Sequence, residues 1–179
     1  MPIGLLATAS PGGRSCDQEA RALLGPRCSS VFSPPLRGHL GAKDWSEVSG
    51  ISKQSFHLLP KIREVDSCMT ASRQQWVRET HPELAFANLK GVPMTFPKRT
   101  ADGQRERLQT LQVVIPDVQK IYRSAPERFR RSQVARDAIL DAFVLAVVAQ
   151  GMADGVSQRL HRPKCNHYGM IALGFIFSN

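Results

Sequence analysis

Three acidic side chains are the residues of this sequence best suited to chemistry on a substrate. Glu79 stands in the stretch 78–83 (RETHPE), just before a proline that suits the first turn of a helix. Asp137 and Asp141 are four residues apart, so both carboxylates project from one face of a helix. Carboxylates hold Mg²⁺ or Mn²⁺, and two such ions can activate water for phosphodiester hydrolysis. The pattern predicts that Glu79, Asp137 and Asp141 are catalytic metal ligands.

The two aspartates also have structural interpretations. An acid near the N-terminus of a helix interacts favourably with the helix dipole, which would account for Asp137. Asp141 directly precedes the apolar run 142–149, where a carboxylate needs a partner. Arg136 or a basic side chain from another element could neutralise it. The sequence leaves metal coordination and neutralisation both open.

A basic segment lies between Lys98 and Arg131. It contains nine basic residues and four acidic ones, and it supplies more than half of the net charge of +9. Such a balance favours a polyanionic partner, with nucleic acid first and an anionic membrane surface second, although solubility alone could also explain it. The segment has few aromatic residues, which suits phosphate contacts better than base stacking. The predicted phosphate contacts are Lys98, Arg99, Arg128, Arg130 and Arg131.

Several helices that would position these residues can be read from capping signals and apolar spacing. The predicted helices open at Ser15 and close at Gly25-Pro26, run from Ser52 to Met69 with a kink or restart at Pro60, start at Pro82, start at Thr100 and end by Pro116, start at Ser124, and run from about Gln133 to Gln150. The run 142–149 is apolar on all sides, which predicts a helix buried between layers.

Three stretches favour strands. They are the apolar first residues 1–6, the run 76–81 that carries Glu79, and the aromatic and β-branched stretch 168–177. In the second of these, alternation puts Val77, Glu79 and His81 on one side of the strand. An acid where a strand hands over to a helix is the usual site position in an α/β sheet. These elements predict one α/β domain over residues 1–179.

Cysteine usage and hydropathy indicate the compartment. The four cysteines are far apart and form no C-x-x-C pair, which is typical of reduced, mostly buried thiols in a cytosolic protein. Cys165 lies between His161 and His167, a spacing that fits no standard zinc pattern. The apolar runs are too short to span a bilayer. We expect a soluble, cytoplasmic protein without a membrane partner, and the sequence does not indicate its oligomeric state.

The order and spacing of several motifs resemble a bacterial and archaeal family of unknown function whose members are predicted RNase H-like nucleases. The motifs are PIGL at 2–5, CDQEAR at 16–21, SSVF at 29–32, KIREVD at 61–66, ETHPE at 79–83, the stretch 98–107, and DAILDA at 137–142. The resemblance covers nearly the whole chain. It implies an RNase H-like α/β fold, with a mixed central sheet, helices on both faces and acidic metal ligands.

The resemblance also implies which residues form the site. Glu79 would match the acid on a central strand, and Asp137 and Asp141 the acids of the last core helix. The family has further strands and an acid before the segment that matches residues 2–5, so the resemblance implies an N-terminally truncated chain. We therefore expect a metal-dependent nuclease, which the truncation could leave inactive; the alternative is a non-catalytic nucleic-acid or nucleotide-binding module.

Overall fold

The structure is a computed structural model that describes residues 1–130 and 134–156, together with the backbone of two short strands beyond them. The α-helices of the described residues are α1 (Ser15–Leu24), α2 (Lys53–His57), α3 (Leu59–Cys68), α4 (Pro82–Lys90), α5 (Ala101–Gln112), α6 (Val118–Arg128) and α7 (Arg136–Ala153). Short 3-10 helices lie at Gly25–Ser30, Arg37–Gly41, Trp45–Glu47 and Arg73–Gln75. Strands β1 (Gln158–Arg159) and β2 (Leu173–Gly174) pair antiparallel.

The predicted RNase H-like mixed central sheet is wrong for the described residues, which are mostly helical. The first predicted strand, at residues 1–6, is irregular: the chain bends at Gly4, and both backbone groups of Ile3 bind side chains instead of a neighbouring strand. The amide of Ile3 donates to the Glu79 carboxylate over 2.7 Å, and its carbonyl accepts from the Arg14 guanidinium over 3.2 Å. A sheet ladder needs both of these backbone groups. Here two charged side chains take them.

The predicted strand at 76–81 is also missing as a regular element. Arg78 folds its guanidinium back onto its own chain and donates to the carbonyls of Gln74, Gln75 and Val77. These carbonyls lie at the end of a 3-10 helix, and the contacts hold the stretch as a turn and an extended linker. Most of the predicted strand at 168–177 lies outside the described residues, which include only Leu173–Gly174 as strand.

Most of the predicted helices are confirmed because their start and stop signals act locally. The helix after Ser52 breaks at Leu58 and restarts with Pro60 in its first turn. The Thr100 hydroxyl accepts from the amide of Gly103 and caps α5. Gly91 ends α4 in the left-handed conformation that glycine adopts freely. The helix start predicted at Ser124 is wrong, since that residue lies inside α6.

Helix α4 lies at the centre of the described structure, in contact with α1, α5 and α7. Five consecutive residues of α4, from Glu83 to Ala87, are buried, so both sides of this helix face other elements. One side packs on α1 through a cluster of Ala20, Leu24, Val31, Leu84 and Ala87. The other side joins a larger cluster that includes Phe86, Met94, Leu111, Val118, Tyr122, Leu140, Val144 and Val148. The linker 78–81 therefore leads directly into the centre of the core.

Helix α7 is buried on one side, which corrects the prediction of a helix enclosed between layers. Leu140, Val144 and Val148 are buried at a spacing of four residues, whereas Ala142 and Ala146 are exposed. The exposed positions carry small side chains, so the cost of exposing them is low. In the part of the chain that the structure describes, no helix is both long enough and apolar enough to cross a bilayer.

The described cysteines are free thiols, as predicted, but their burial differs from the prediction. Cys16 is buried in α1, and Cys28 and Cys68 are exposed. Burial of Cys16 raises the pKa of its thiol to about 12, so this side chain stays protonated at neutral pH. Cys165, His161 and His167 lie outside the described residues.

Candidate functional site

The linker into α4 carries three polar side chains at alternating positions, Glu79, His81 and Glu83, and each contacts a different part of the molecule. Alternation along an extended stretch sends neighbouring side chains in different directions. Here Glu79 and His81 are half-buried and Glu83 is buried, and each has hydrogen-bond partners within the protein. The stretch 78–83 is thus joined by polar contacts to three other parts of the protein.

Glu79 is held by Arg14 and by the chain near the N-terminus. Arg14 donates from Nη1 to Oε2 over 3.0 Å and from Nη2 to Oε1 over 2.9 Å, which makes a two-pronged contact. The same guanidinium donates to both oxygens of Asp17, each over 2.6 Å. Arg14 is only 6% exposed. The amide of Ile3 also donates to Oε2 of Glu79. Both oxygens of Glu79 therefore have partners, and its contact with the buried Arg14 is a structural ion pair.

The electrostatics of this cluster favour the charged arginine. Burial lowers the pKa of Arg14, but the hydrogen bonds and charges of Asp17 and Glu79 outweigh it and raise that pKa above its ordinary value. Two carboxylates share one guanidinium, so the cluster carries a formal charge of −1. A cavity of about 170 Å³ lies beside it, lined by Arg14, Asp17, Glu79 and His81 among others.

His81 is a half-buried, neutral imidazole. Its Nε2 lies 3.0 Å from the carbonyl oxygen of Ser30, and since a carbonyl only accepts, Nε2 carries the proton. Nδ1 is buried and has no hydrogen-bond partner among the described residues. Burial lowers the pKa of His81, opposed by the Ser30 hydrogen bond and by the nearby charge of Glu83. The side chain therefore joins α4 to the 3-10 helix at Gly25–Ser30 without carrying charge at neutral pH.

Glu83 lies at the start of α4 and binds two arginines. Arg107 of α5 donates to its Oε2 over 2.7 Å, and Arg27 donates to its Oε1 over 3.0 Å. Arg107 has 0% exposure and also lies over the ring of Phe86, 5.4 Å from the ring centre. Its remaining contacts are to the carbonyls of Phe96 and Gly103. This ion-pair network connects the 3-10 helix at Gly25–Ser30 with α4 and α5 and has a structural role.

Asp137 and Asp141 lie together on one face of α7, as their spacing predicts, and Lys98 binds both. The Lys98 ammonium is 2.7 Å from Oδ2 of Asp141 and 3.5 Å from Oδ2 of Asp137. Arg99 approaches Asp137 at 3.9 Å. Both carboxylates are largely buried, with 16% and 19% of their side chains exposed. Neutralisation by a basic side chain from another element was one of the alternatives that the sequence left open, and Lys98 is that side chain.

The turn that carries Lys98 is built to approach α7 closely. The amide and the hydroxyl of Thr100 both donate to the carbonyl of Pro97, at 3.0 and 2.8 Å. A Cβ atom at Gly103 would collide with that same carbonyl, so only glycine lets the turn close onto α5. Residues 97–100 are thereby fixed on the first turn of α5, and α5 packs against α7.

The structure brings two of the three predicted metal ligands together and leaves the third elsewhere. In the described ranges, no three His, Cys, Asp or Glu side chains form a group that could hold a metal ion. Glu79 lines a cavity with the second half of α7, from Leu145 to Ala153, whereas Asp137 and Asp141 occupy the first two turns. The donor pair Asp137 and Asp141 is the part of the predicted set that remains adjacent.

The predicted phosphate contacts fall into two groups. Lys98 and Arg99 lie at the Asp137/Asp141 pair, with 40% and 85% of their side chains exposed. Arg128 ends α6 and is exposed, and Arg130 follows it in the next loop. Arg131 lies outside the described residues. The basic segment therefore presents cations both at the acidic pair and at the end of α6.

Sequence reasoning missed the basic partners of the acids. Arg14 and Asp17 form a pair three residues apart, a spacing that could have been noticed. The contact of Arg14 with Glu79 joins residues 65 apart in the chain, and that of Lys98 with Asp141 joins residues 43 apart. No local spacing rule reports such contacts.

The chain belongs to the DUF429 family, a family of proteins of unknown function, which it matches over residues 1–164. No curated protein and no solved structure matches the chain.

Proposed function

We propose that this member of the DUF429 family is a metal-dependent phosphodiesterase that acts on nucleic acid, with its centre at Asp137, Asp141 and Lys98. One observation carries the proposal. Two largely buried carboxylates one helical turn apart are held by a lysine that is 40% exposed and contacts solvent. Acids and a cation so placed can bind both a divalent ion and a phosphate.

The donor set fits Mg²⁺ or Mn²⁺. These ions prefer hard oxygen ligands, and Mg²⁺ is commonly held by one or two carboxylates together with waters and substrate phosphates. Asp137 and Asp141 would be those carboxylates. When bound, the ion would supply an activated water and charge stabilisation for the leaving oxygen. Two like charges at this spacing repel each other, which adds to the tendency of the pair to bind a cation.

Lys98 has two alternative partners in this proposal. In the structure its ammonium neutralises the two aspartates. With a divalent cation between the carboxylates, Lys98 would turn toward a phosphate oxygen, which its partial exposure permits. An ammonium is a compact charge on a flexible stem, and lysine is a common phosphate ligand. Lys98 is thus proposed to hold the acids together and then to hold the substrate.

Nucleic acid is the proposed substrate because of the surrounding charge. Arg99 is 85% exposed beside the pair and would contact a neighbouring phosphate. The segment from Lys98 to Arg131 carries an excess of five positive charges in a chain of net charge +9. Phosphate contacts of this kind bind without sequence preference and weaken with salt. We propose Arg128 and Arg130 as further phosphate contacts because both side chains are cationic and because Arg128 is exposed.

Glu79 is left out of the proposed centre. Its two oxygens accept from Arg14 and from the amide of Ile3, and releasing it would leave a buried guanidinium short of a partner. Its contribution in this account is to fix the linker that leads into α4. A two-carboxylate centre therefore replaces the three-carboxylate centre that the sequence predicts.

The test is cleavage of labelled DNA and RNA by the full chain with Mn²⁺ or Mg²⁺. We expect activity that requires the ion, and a loss in Asp141→Asn greater than the roughly ten- to hundredfold loss typical of an outer-shell partner. Asp102→Asn is the matched control, because Asp102 pairs with Arg105 on the exposed face of α5. Equal cleavage by the wild type and Asp141→Asn would refute the centre.

The second candidate is a non-catalytic nucleic-acid-binding module, which the ion pair itself favours. If Lys98 neutralises the aspartates permanently, only the exposed cations remain to act on a partner. This function predicts salt-sensitive binding that survives EDTA and Asp141→Asn, with no cleavage. Arg99→Glu would weaken binding in both cases, so the effect of Asp141→Asn on cleavage distinguishes the two.

A further inference from the structure

A groove of about 610 Å³ runs between α6 and α7, and neither Asp137 nor Asp141 lines it. Its α6 side includes Ile121, Ala125 and Phe129, and its α7 side includes Ile139 and Phe143. Helix α6 has 11 residues, so the groove can extend over roughly 16 Å at the rise of an α-helix. Its dimensions suit a short helix, a common occupant of grooves between helices.

The apolar floor of this groove is unusually open to solvent. Ile121 is 45% exposed and Phe129 is 51% exposed, although both side chains are large. Tyr122 and Val118, on the inner side of α6, are buried in the core. The outer apolar side chains are therefore additional to those that stabilise the fold. Adjacent exposed apolar side chains in a concave surface are typical of a binding site.

Charged residues line the rim of the groove. Lys120 and Arg128 both line the α6 side of the groove, about two helical turns apart. Asp117 is the carboxylate among the lining residues of the groove. It lies at the N-terminus of α6, where its negative charge interacts favourably with the helix dipole. The end of the groove at Arg128 and Phe129 is cationic. An occupant with an apolar stripe flanked by acidic residues complements this arrangement.

We propose that the α6/α7 groove binds an amphipathic acidic helix of a protein partner. A second copy of this chain is less suitable, because a two-fold contact would bring the same cations of two chains of net charge +9 toward each other. Nucleic acid would use Arg128 and Lys120 but not the apolar floor, since phosphate contacts need no such surface. The combination of floor and rim fits an acidic helix.

The experiment is fluorescence anisotropy of the full chain with a labelled peptide of Leu, Ala and Glu. The peptide is about 15 residues long, so that it can form a helix, and its apolar residues lie on one face. A matched peptide with Lys in place of Glu is the control ligand. We expect saturable binding of the acidic peptide that weakens with salt, and no binding of the basic peptide.

Two protein variants separate the floor from the rim. Ile121→Ser with Phe129→Ser should weaken the acidic peptide about tenfold or more, and Arg128→Glu several-fold. These side chains are about half exposed or more, so the variants should keep the fold, which circular dichroism and thermal melting will verify. Val113→Ser is the matched control, because Val113 is 82% exposed and lies outside the groove.

Five outcomes would overturn the proposal. Four of them are a lack of saturable binding of the acidic peptide, equal binding of the basic peptide, unchanged affinity in the Ile121/Phe129 double variant, and a dimer in sedimentation velocity that the double variant abolishes. The fifth is weaker binding of labelled duplex DNA by the double variant, which would make the groove a nucleic-acid surface.

Discussion

Two regions of this protein contain carboxylates bound by a basic side chain, and they differ in the exposure of that side chain. Arg14 binds Glu79 and Asp17 from a position that is 6% exposed. Lys98 binds Asp137 and Asp141 from a position that is 40% exposed. Arg14 is enclosed by the protein and has almost no solvent to turn into, whereas Lys98 can turn into solvent. Exposure of the cation, more than identity of the acid, determines which acids can change partners.

The geometry of the contacts also distinguishes the two regions. Arg14 makes two-pronged contacts with both carboxylates, and the amide of Ile3 adds another hydrogen bond to Glu79. Lys98 reaches Asp137 and Asp141 with a single nitrogen at unequal distances of 3.5 and 2.7 Å. A guanidinium matches the shape of a carboxylate, whereas an ammonium is a point charge. The first region is structural in this account, and the second is the proposed reaction centre.

The largest expected effect is that of Arg14→Met. The substitution keeps an unbranched apolar stem but leaves Glu79 and Asp17 without their buried cation, so the free energy of unfolding should fall by about 3–5 kcal/mol. Urea denaturation followed by circular dichroism measures it. Arg105→Met, which removes an exposed pair of α5, is the control, with a change below about 1 kcal/mol. A similar small change in both variants would contradict the structural role of Arg14.

Removing the charge of Glu79 should destabilise the fold more than removing the charge of Asp141. Glu79→Gln loses charge-assisted hydrogen bonds to a buried arginine and should reduce the free energy of unfolding by about 1.5–3 kcal/mol. Asp141→Asn loses a contact with a partly exposed lysine and also relieves repulsion from Asp137, so it should change stability by less than about 1 kcal/mol. If Asp141→Asn proves the more destabilising variant, the contrast between the two regions is wrong.

Glu106 of α5 is a carboxylate outside both regions, and its shifted pKa makes the stability of the fold depend on pH. Partial burial raises the pKa of Glu106, but hydrogen bonds from Lys90, Thr95 and Phe96 outweigh it and lower this pKa to about 2 from an ordinary value of 4.5. The unfolded state therefore takes up a proton first, and the contribution of Glu106 is lost as pH falls from 4.5 toward 2. Urea titrations over this range should show a weaker loss of stability in Glu106→Gln than in the wild type, and identical pH dependence would contradict the shift.

The smallest effect on stability is expected for Lys98→Met. Loss of a 40% exposed partner should cost less than about 1 kcal/mol in metal-free buffer. The two aspartates would then lack a counter-ion, so added Mn²⁺ should raise the melting temperature of this variant more than that of the wild type. Thermal melts with and without Mn²⁺ measure the difference. Equal shifts in both proteins would show that Lys98 does not compete for the aspartates.

Local signals in the sequence predicted much of the helical structure. Pro60, Pro82, Gly91 and Thr100 mark helix starts and stops by their own backbone preferences, and the structure follows them. The spacing of Asp137 and Asp141 likewise placed both on one face of α7. These features depend on neighbours within a few residues, which the sequence displays directly.

The strands and the ion pairs depend on distant parts of the chain, and there prediction failed or was incomplete. The run 76–81 has β-prone residues, but Arg78 takes its carbonyls and Arg14 takes Glu79. Whether Glu79 meets Arg14 or Asp141 is decided by the packing of α1 and α7 around α4. Spacing along the chain does not contain that information, so it suggested one site where the structure has two.

The contrast between the two regions is tested most directly by Mn²⁺ titration of the full chain, followed by electron paramagnetic resonance of the free ion. The wild type, Asp141→Asn and Glu79→Gln are compared under the same conditions, after circular dichroism has verified that each is folded. We expect the wild type and Glu79→Gln to bind Mn²⁺ with similar affinity and Asp141→Asn to lose this binding. Loss of binding in Glu79→Gln with retention in Asp141→Asn, or no binding by the wild type, would contradict it.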